Sequence, residues 1–196
     1  MVPAWTIQLA RGILALGLGL TIALTLAHTP LFGLVTFGVF AVLSGSALVL
    51  GATRSGYGAP VSGAVLAQGI VTMVAGVAGL VVPVATVWFL GVLVGGWAVV
   101  AGVLELSSGL RARGRSTLAR DWVITGVLTV AFGVVALLLP ADIVQTFTGE
   151  KGQSGTLTSA VILIGVFGAW AVLVGVLQSI SAVSVRPTRS PSVASV

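Results

Sequence analysis

The chain has 196 residues, 57% of them hydrophobic and only 7% charged, with a mean hydropathy of +1.20. A soluble domain carries about 25% charged residues, so this chain cannot cover a surface in water, and its hydrophobic richness equally excludes disorder. The absence of Cys excludes a disulfide framework, a thiolate metal site and a cysteine nucleophile. What remains is an all-α integral membrane protein with short loops.

A spanning helix needs roughly 20 mostly apolar residues. Six segments qualify: residues 5–28, closed by Pro30; 31–52; the stretch after Pro60 up to Pro83; 84–110; 121–139, before Pro140; and 156–185. They are apolar on every face, unlike the alternating strands of a barrel. The first is not read as a signal peptide, because its apolar stretch is long and encloses Arg11. Residues 1–185 are thus expected to form one six-helix transmembrane domain, followed by a disordered cytoplasmic tail over 186–196.

Basic residues orient such a chain, since they concentrate on the cytoplasmic side. Arg11, Arg54, Arg111, Arg113, Arg115, Arg120, Arg186 and Arg189 fall on one side of the predicted spans, and Lys151 falls on the other beside Asp142 and Glu150. Both termini are therefore expected in the cytoplasm. Trp5, Tyr57 and Trp122 would then anchor the inner interface and Trp88 the outer one. The net charge of +5 is topological on this reading, and no nucleic-acid partner is expected. The arginines of RARGRSTLAR (Arg111, Arg113, Arg115 and Arg120) are also candidates for anionic lipid headgroups.

The glycines carry a repeat. Gly12, Gly69 and Gly126 recur every 57 residues, as do Gly19, Gly76 and Gly133. The even-numbered helices read FAVLSG from Phe40, WAVVAG from Trp97 and WAVLVG from Trp170. The last two aromatics are 73 apart rather than 57, so 16 extra residues lie in the third unit, around 141–155. The chain is three tandem helical hairpins, about 5–52, 61–110 and 121–185. Each has two spans, so all share one orientation and any symmetry axis runs along the membrane normal. Every helix also holds two glycines seven residues apart, on nearly one face: Gly12/Gly19, Gly38/Gly45, Gly69/Gly76, Gly95/Gly102, Gly126/Gly133 and Gly168/Gly175, with Gly91 and Gly95 forming a GxxxG. Small residues let helices approach closely in lipid, so these glycines read as a packing seam.

The tandem sequences RGILALGLG, QGIVTMVAGVAGLVVP and TGVLTVAFGVVALLLP, each followed by an aromatic-Ala-Val-x-x-Gly helix, resemble the HdeD-like family. Its members are small six-span bacterial inner-membrane proteins built from a short repeat and named for one linked to acid resistance. The resemblance covers about residues 5–183. It implies a bacterial inner-membrane protein with an envelope or acid-stress role, and supplies no catalytic motif or cofactor. The insertion departs from the simplest repeat.

Polar groups at membrane depth are functional candidates. Arg11, Gln68 and Thr125 occupy equivalent repeat positions, and so do Leu48, Glu105 and Gln178. Together they suggest a polar layer near the inner face. Glu105 either titrates or attracts cations at the mouth of a path, or it pairs with Arg11 or snorkels to the interface and only fixes helix register. Ser44, Ser46 and Thr72 are expected to bond carbonyls of their own helices. His28, at the outer boundary, is a candidate pH sensor, because imidazole titrates near neutrality; Asp142 and Glu150 are candidates for an outer acidic or metal patch with it. No catalytic constellation, cofactor or metal spacing is found. The leading expectation is a non-enzymatic protein acting through helix packing, lipid contacts, itself or another membrane protein. The alternative is a small channel or transporter for protons or a small solute, with Arg11, Glu105 and Gln178 at its cytoplasmic mouth.

Overall fold

A computed structural model describes residues 3–54, 59–82, 84–148 and 154–186; Tyr57, Pro83, Glu150, Lys151 and the tail from residue 187 lie outside them. Six helices form, α1 (Ala4–Leu24), α2 (Pro30–Arg54), α3 (Ala59–Val81), α4 (Val87–Arg111), α5 (Ala119–Leu138) and α6 (Ser159–Ser184), all long and apolar enough to cross a membrane. Even α5, with 20 residues, spans about 30 Å at 1.5 Å per residue. Threonines start the even helices: the Thr29, Thr86 and Thr158 hydroxyls accept from the amides of Phe32, Phe89 and Val161, satisfying donors that a first turn leaves free. Every described arginine lies at the end of the bundle where α2, α4 and α6 finish.

Several boundaries differ from expectation. α1 stops at Leu24 rather than at His28, and α6 starts at Ser159 rather than at 156. The insertion is not an irregular loop. Its strands β1 (Val144–Thr148) and β2 (Ser154–Thr158) pair antiparallel, with Val144 opposite Thr158 and Thr148 opposite Ser154. All five residues of β1 are exposed, so it buries no face and leaves no alternation for the sequence to show.

The glycine seams run between hairpins and not within them. α2 packs most closely on α3, α4 on α5, and α6 on α1. A Cβ added at Gly126 would lie 2.6 Å from the Leu106 amide nitrogen and 2.9 Å from the Gly102 carbonyl oxygen, and one at Gly102 would lie 2.9 Å from the Gly126 carbonyl. The same face-to-face meetings join Gly95 with Gly133, Gly38 with Gly76, Gly45 with Gly69, Gly12 with Gly175, and Gly19 with Gly168. Each of the six glycine pairs read from the sequence thus meets one opposing pair, antiparallel. Gly91 is looser, its added Cβ 3.4 Å from the Ala136 carbonyl oxygen. Since the last unit packs on the first by the same device, the six helices close into a ring around a pseudo-threefold axis.

Large side chains fill that ring on the axis. Phe37, Phe40, Trp97, Phe132, Phe167 and Trp170 form one buried aromatic layer. Trp97 and Trp170 meet edge to face at 5.6 Å, Phe37 stands 5.1 Å from Trp97, and Phe132 stacks on Trp170 at 5.4 Å. Buried indoles need acceptors, and the repeat supplies them: Trp97 Nε1 donates to Thr72 Oγ1 at 3.1 Å and Trp170 Nε1 to Thr129 Oγ1 at 3.2 Å. The equivalent positions of the first unit hold Phe40 and Ala15, which removes donor and acceptor together. Thr72→Ala should therefore cost about 1 kcal/mol by stranding the Trp97 N–H. Adding Trp97→Phe, which reproduces the first unit's pair, should recover most of that loss in an unfolding titration; a double variant no more stable than Thr72→Ala would contradict it.

Candidate functional site

The polar layer assembles at the arginine-bearing end, just beneath the aromatics. Arg11, in the third turn of α1, reaches across the axis to Glu105 of α4: its Nη1 and Nη2 donate to Oε1 and Oε2 at 3.1 and 3.4 Å. Both side chains are enclosed, 11% and 5% exposed. Gln68 of α3 donates from Nε2 to Glu105 Oε2 at 3.2 Å. Three helices from two repeat units thus converge on one carboxylate. A fork of two parallel N–H donors is the strong geometry for an Arg–carboxylate pair, and in an apolar bundle each charge would be costly without the other. Of the two readings of Glu105, the geometry realises the pair with Arg11.

The remaining layer residues divide. Gln178 is buried and lines the same small cavity as Arg11, Gln68 and Glu105. Thr125 is buried but turns to its own helix, donating to the Asp121 carbonyl oxygen at 2.9 Å; it is in the layer by sequence position and outside the charge cluster by contact. Ser46 and Thr72 bond their own helices as expected, at 2.7 Å to the carbonyls of Val42 and Gln68.

Some partners were missed. Gln8 is one helical turn before Arg11 and only 3% exposed, and it accepts from Trp122 Nε1 at 3.3 Å. Trp122 is therefore not an interfacial anchor: it is buried, because its repeat position faces the axis. The spacing of 57 linking Gln8, Val65 and Trp122 was the available signal. Ser181 of α6 donates to Asp121 Oδ2 at 2.6 Å, tying the end of the third hairpin together. Trp5 lies under the Arg186 guanidinium at 5.5 Å, while Trp88, 66% exposed, suits an anchor at the opposite end.

His28 is half-buried. Its Nε2 lies 3.2 Å from the Ile22 carbonyl oxygen, which also accepts from the Thr25 amide at 3.3 Å at the end of α1, and its ring meets Phe32 edge-on. Asp142 is exposed and Glu150 lies outside the described residues; among the described residues no group of three His, Asp or Glu is placed to hold a metal. The α4–α5 loop turns at Gly114, with φ of 74°, a left-handed conformation that glycine adopts without penalty. Beside it, Arg113, Ser116, Thr117 and Arg120 rim a pocket of about 290 Å³ whose floor is Val123 and Ile124. Arg111 and Arg115 do not line it.

Six apolar helices closed around an aromatic axis, with one buried ion pair beneath it, define a multi-pass membrane protein. Residues 67–141, covering most of α3, all of α4 and α5, match a short repeat of unknown function, DUF308, a repeat found in HdeD-like membrane proteins. No curated protein and no solved structure matches the chain.

Proposed function

We propose that the chain is a non-enzymatic bacterial inner-membrane protein, with both termini cytoplasmic and a role in envelope or acid stress, acting through packing, lipid contacts or a membrane partner. The stress role rests on the resemblance to HdeD-like proteins and the matching repeat. The orientation rests on the arginines gathered at one end of the bundle. The observation that carries a contact role over a conducting one is the aromatic layer: Phe37, Phe40, Trp97 and Trp170 interlock across the axis. A path for ions would have to part them.

The test is proton and ion flux into liposomes carrying the purified, folded protein under an imposed pH gradient. Flux equal to that of empty liposomes is expected, for the wild type and for Glu105→Gln alike. Protein-dependent flux lost in Glu105→Gln would establish the channel or transporter instead.

Lipid contact has a more specific form in this reading. Arg120, Val123 and Ile124 share one face of α5, so the pocket beside Gly114 passes from guanidinium to apolar floor in one helical turn. That gradient suits an anionic phospholipid, its phosphate between Arg113 and Arg120 and an acyl chain against Val123 and Ile124. Native mass spectrometry from phosphatidylglycerol-containing nanodiscs should find a retained lipid that Arg113→Ala/Arg120→Ala releases and Arg115→Ala keeps. Equal loss in all these variants would reduce the interaction to diffuse charge.

A further inference from the structure

Two buried donors beside the ion pair find no acceptor among the described residues: Gln8 Nε2 and Arg11 Nε. Neither is at a surface where bulk solvent could serve it, and a buried donor left unpaired costs about 1–3 kcal/mol. The space around them is graded to suit a small ligand. A cavity of about 10 Å³ is lined by Gln8, Arg11, Gln68, Glu105 and Trp122 among others, and a second of about 20 Å³ lies on the other side of the pair, bounded by Ser44, Thr72, Trp97 and Gln178. A site needs roughly 10–15 Å³ of such volume and two to four polar partners to hold one water. Both sites meet the polar requirement, and neither has room for a larger solute.

We propose that the Arg11–Glu105 pair sits in a two-water chamber, one water bonded by Gln8 Nε2 and Arg11 Nε and the other held between the pair, Gln178 and Thr72, dead-ended by the aromatic layer. The chamber is a binding site for water, bounded by Gln8 and Trp122 on one side of the pair and by Trp97 on the other. It supplies acceptors to the two unpartnered donors, while the Trp97–Trp170 contact closes it on the far side. The proposal deepens the closed-bundle reading, which the flux experiment tests by itself.

The Trp side chains report on the chamber, since Trp122 lines the smaller cavity and Trp97 the larger. With ¹⁵N-Trp-labelled full-length protein in nanodiscs, magnetisation transfer from water to the indole N–H should be seen at both Trp122 and Trp97. The repeat also supplies a filling variant. Ser44 is equivalent to Ala101 and Val174, so Ser44→Val places in the first unit a side chain that the third already accommodates. It should abolish transfer at Trp97 and leave it at Trp122. If that variant does not fold, Ala101→Val fills the same cavity and is read the same way. No transfer at either indole of the wild type, or transfer at Trp97 that survives filling, would overturn the chamber.

Discussion

Gly126→Ala is expected to destabilise the bundle by about 1–3 kcal/mol, the range for forcing extra volume into a packed interior, while Gly165→Ala leaves stability unchanged or raises it by up to about 1 kcal/mol through helix propensity. The two substitutions are chemically identical and both fall within long helices. They differ in what the new methyl meets. At Gly126 it would lie 2.6 Å from the Leu106 amide nitrogen and 2.9 Å from the Leu106 Cα. Those are backbone atoms, which cannot rotate aside, so α4 and α5 must separate and forfeit contacts along the whole seam. At Gly165 nothing among the described residues lies within 4 Å of the added carbon. Unfolding in mixed micelles of mild and denaturing detergent, followed by circular dichroism, measures both. Tolerance of Gly126→Ala equal to that of Gly165→Ala would mean that the helices do not meet there. The effect should recur at Gly102, whose added Cβ would lie 2.8 Å from the Val130 amide nitrogen.

Arg11→Leu and Glu105→Leu should each cost about 3–5 kcal/mol, and the double variant should cost less than either, because removing one partner of a buried pair strands the other charge whereas replacing both with apolar groups is often close to neutral. Glu105→Leu leaves the Arg11 guanidinium without its carboxylate and Gln68 Nε2 without its acceptor. Arg11→Leu leaves the carboxylate with the Gln68 amide alone. A double-mutant cycle in the same unfolding assay isolates the coupling. Additive losses would mean that the two charges do not interact, and a neutral Glu105→Leu would remove the pair altogether. The cycle also bears on function: if flux stays at the level of empty liposomes in all three variants, the pair holds α1, α3 and α4 together and drives no transport.

Much of this protein can be read in one dimension. Membrane class follows from charge too sparse to cover a surface. The six helices follow from apolar stretches of bilayer length, and the three units from a repeat of 57 residues on glycines and aromatics. The glycine pairs were legible as packing faces because a spacing of seven keeps a residue on one side of a helix whatever it packs against. Their partners were not. A face marked by Gly12 and Gly19 does not say whether it meets α2, its neighbour in the chain, or α6, at the far end of it; only closure of the ring decides that. The buried place of Trp122, its bond to Gln8 and the enclosure of the Arg11–Glu105 pair belong to the same class. Each joins positions 94 or more residues apart in sequence, and local hydropathy carries no information about such meetings. The β-hairpin of the insertion was hidden for the opposite reason: its pairing is local, but a strand exposed at every residue buries no face that would mark it in the sequence. Composition and periodicity determined what each segment is, because burial in lipid acts on every residue by itself. Which segments touch, and which polar groups find one another at the axis, was decided by the tertiary structure, because pairing depends on two residues at once.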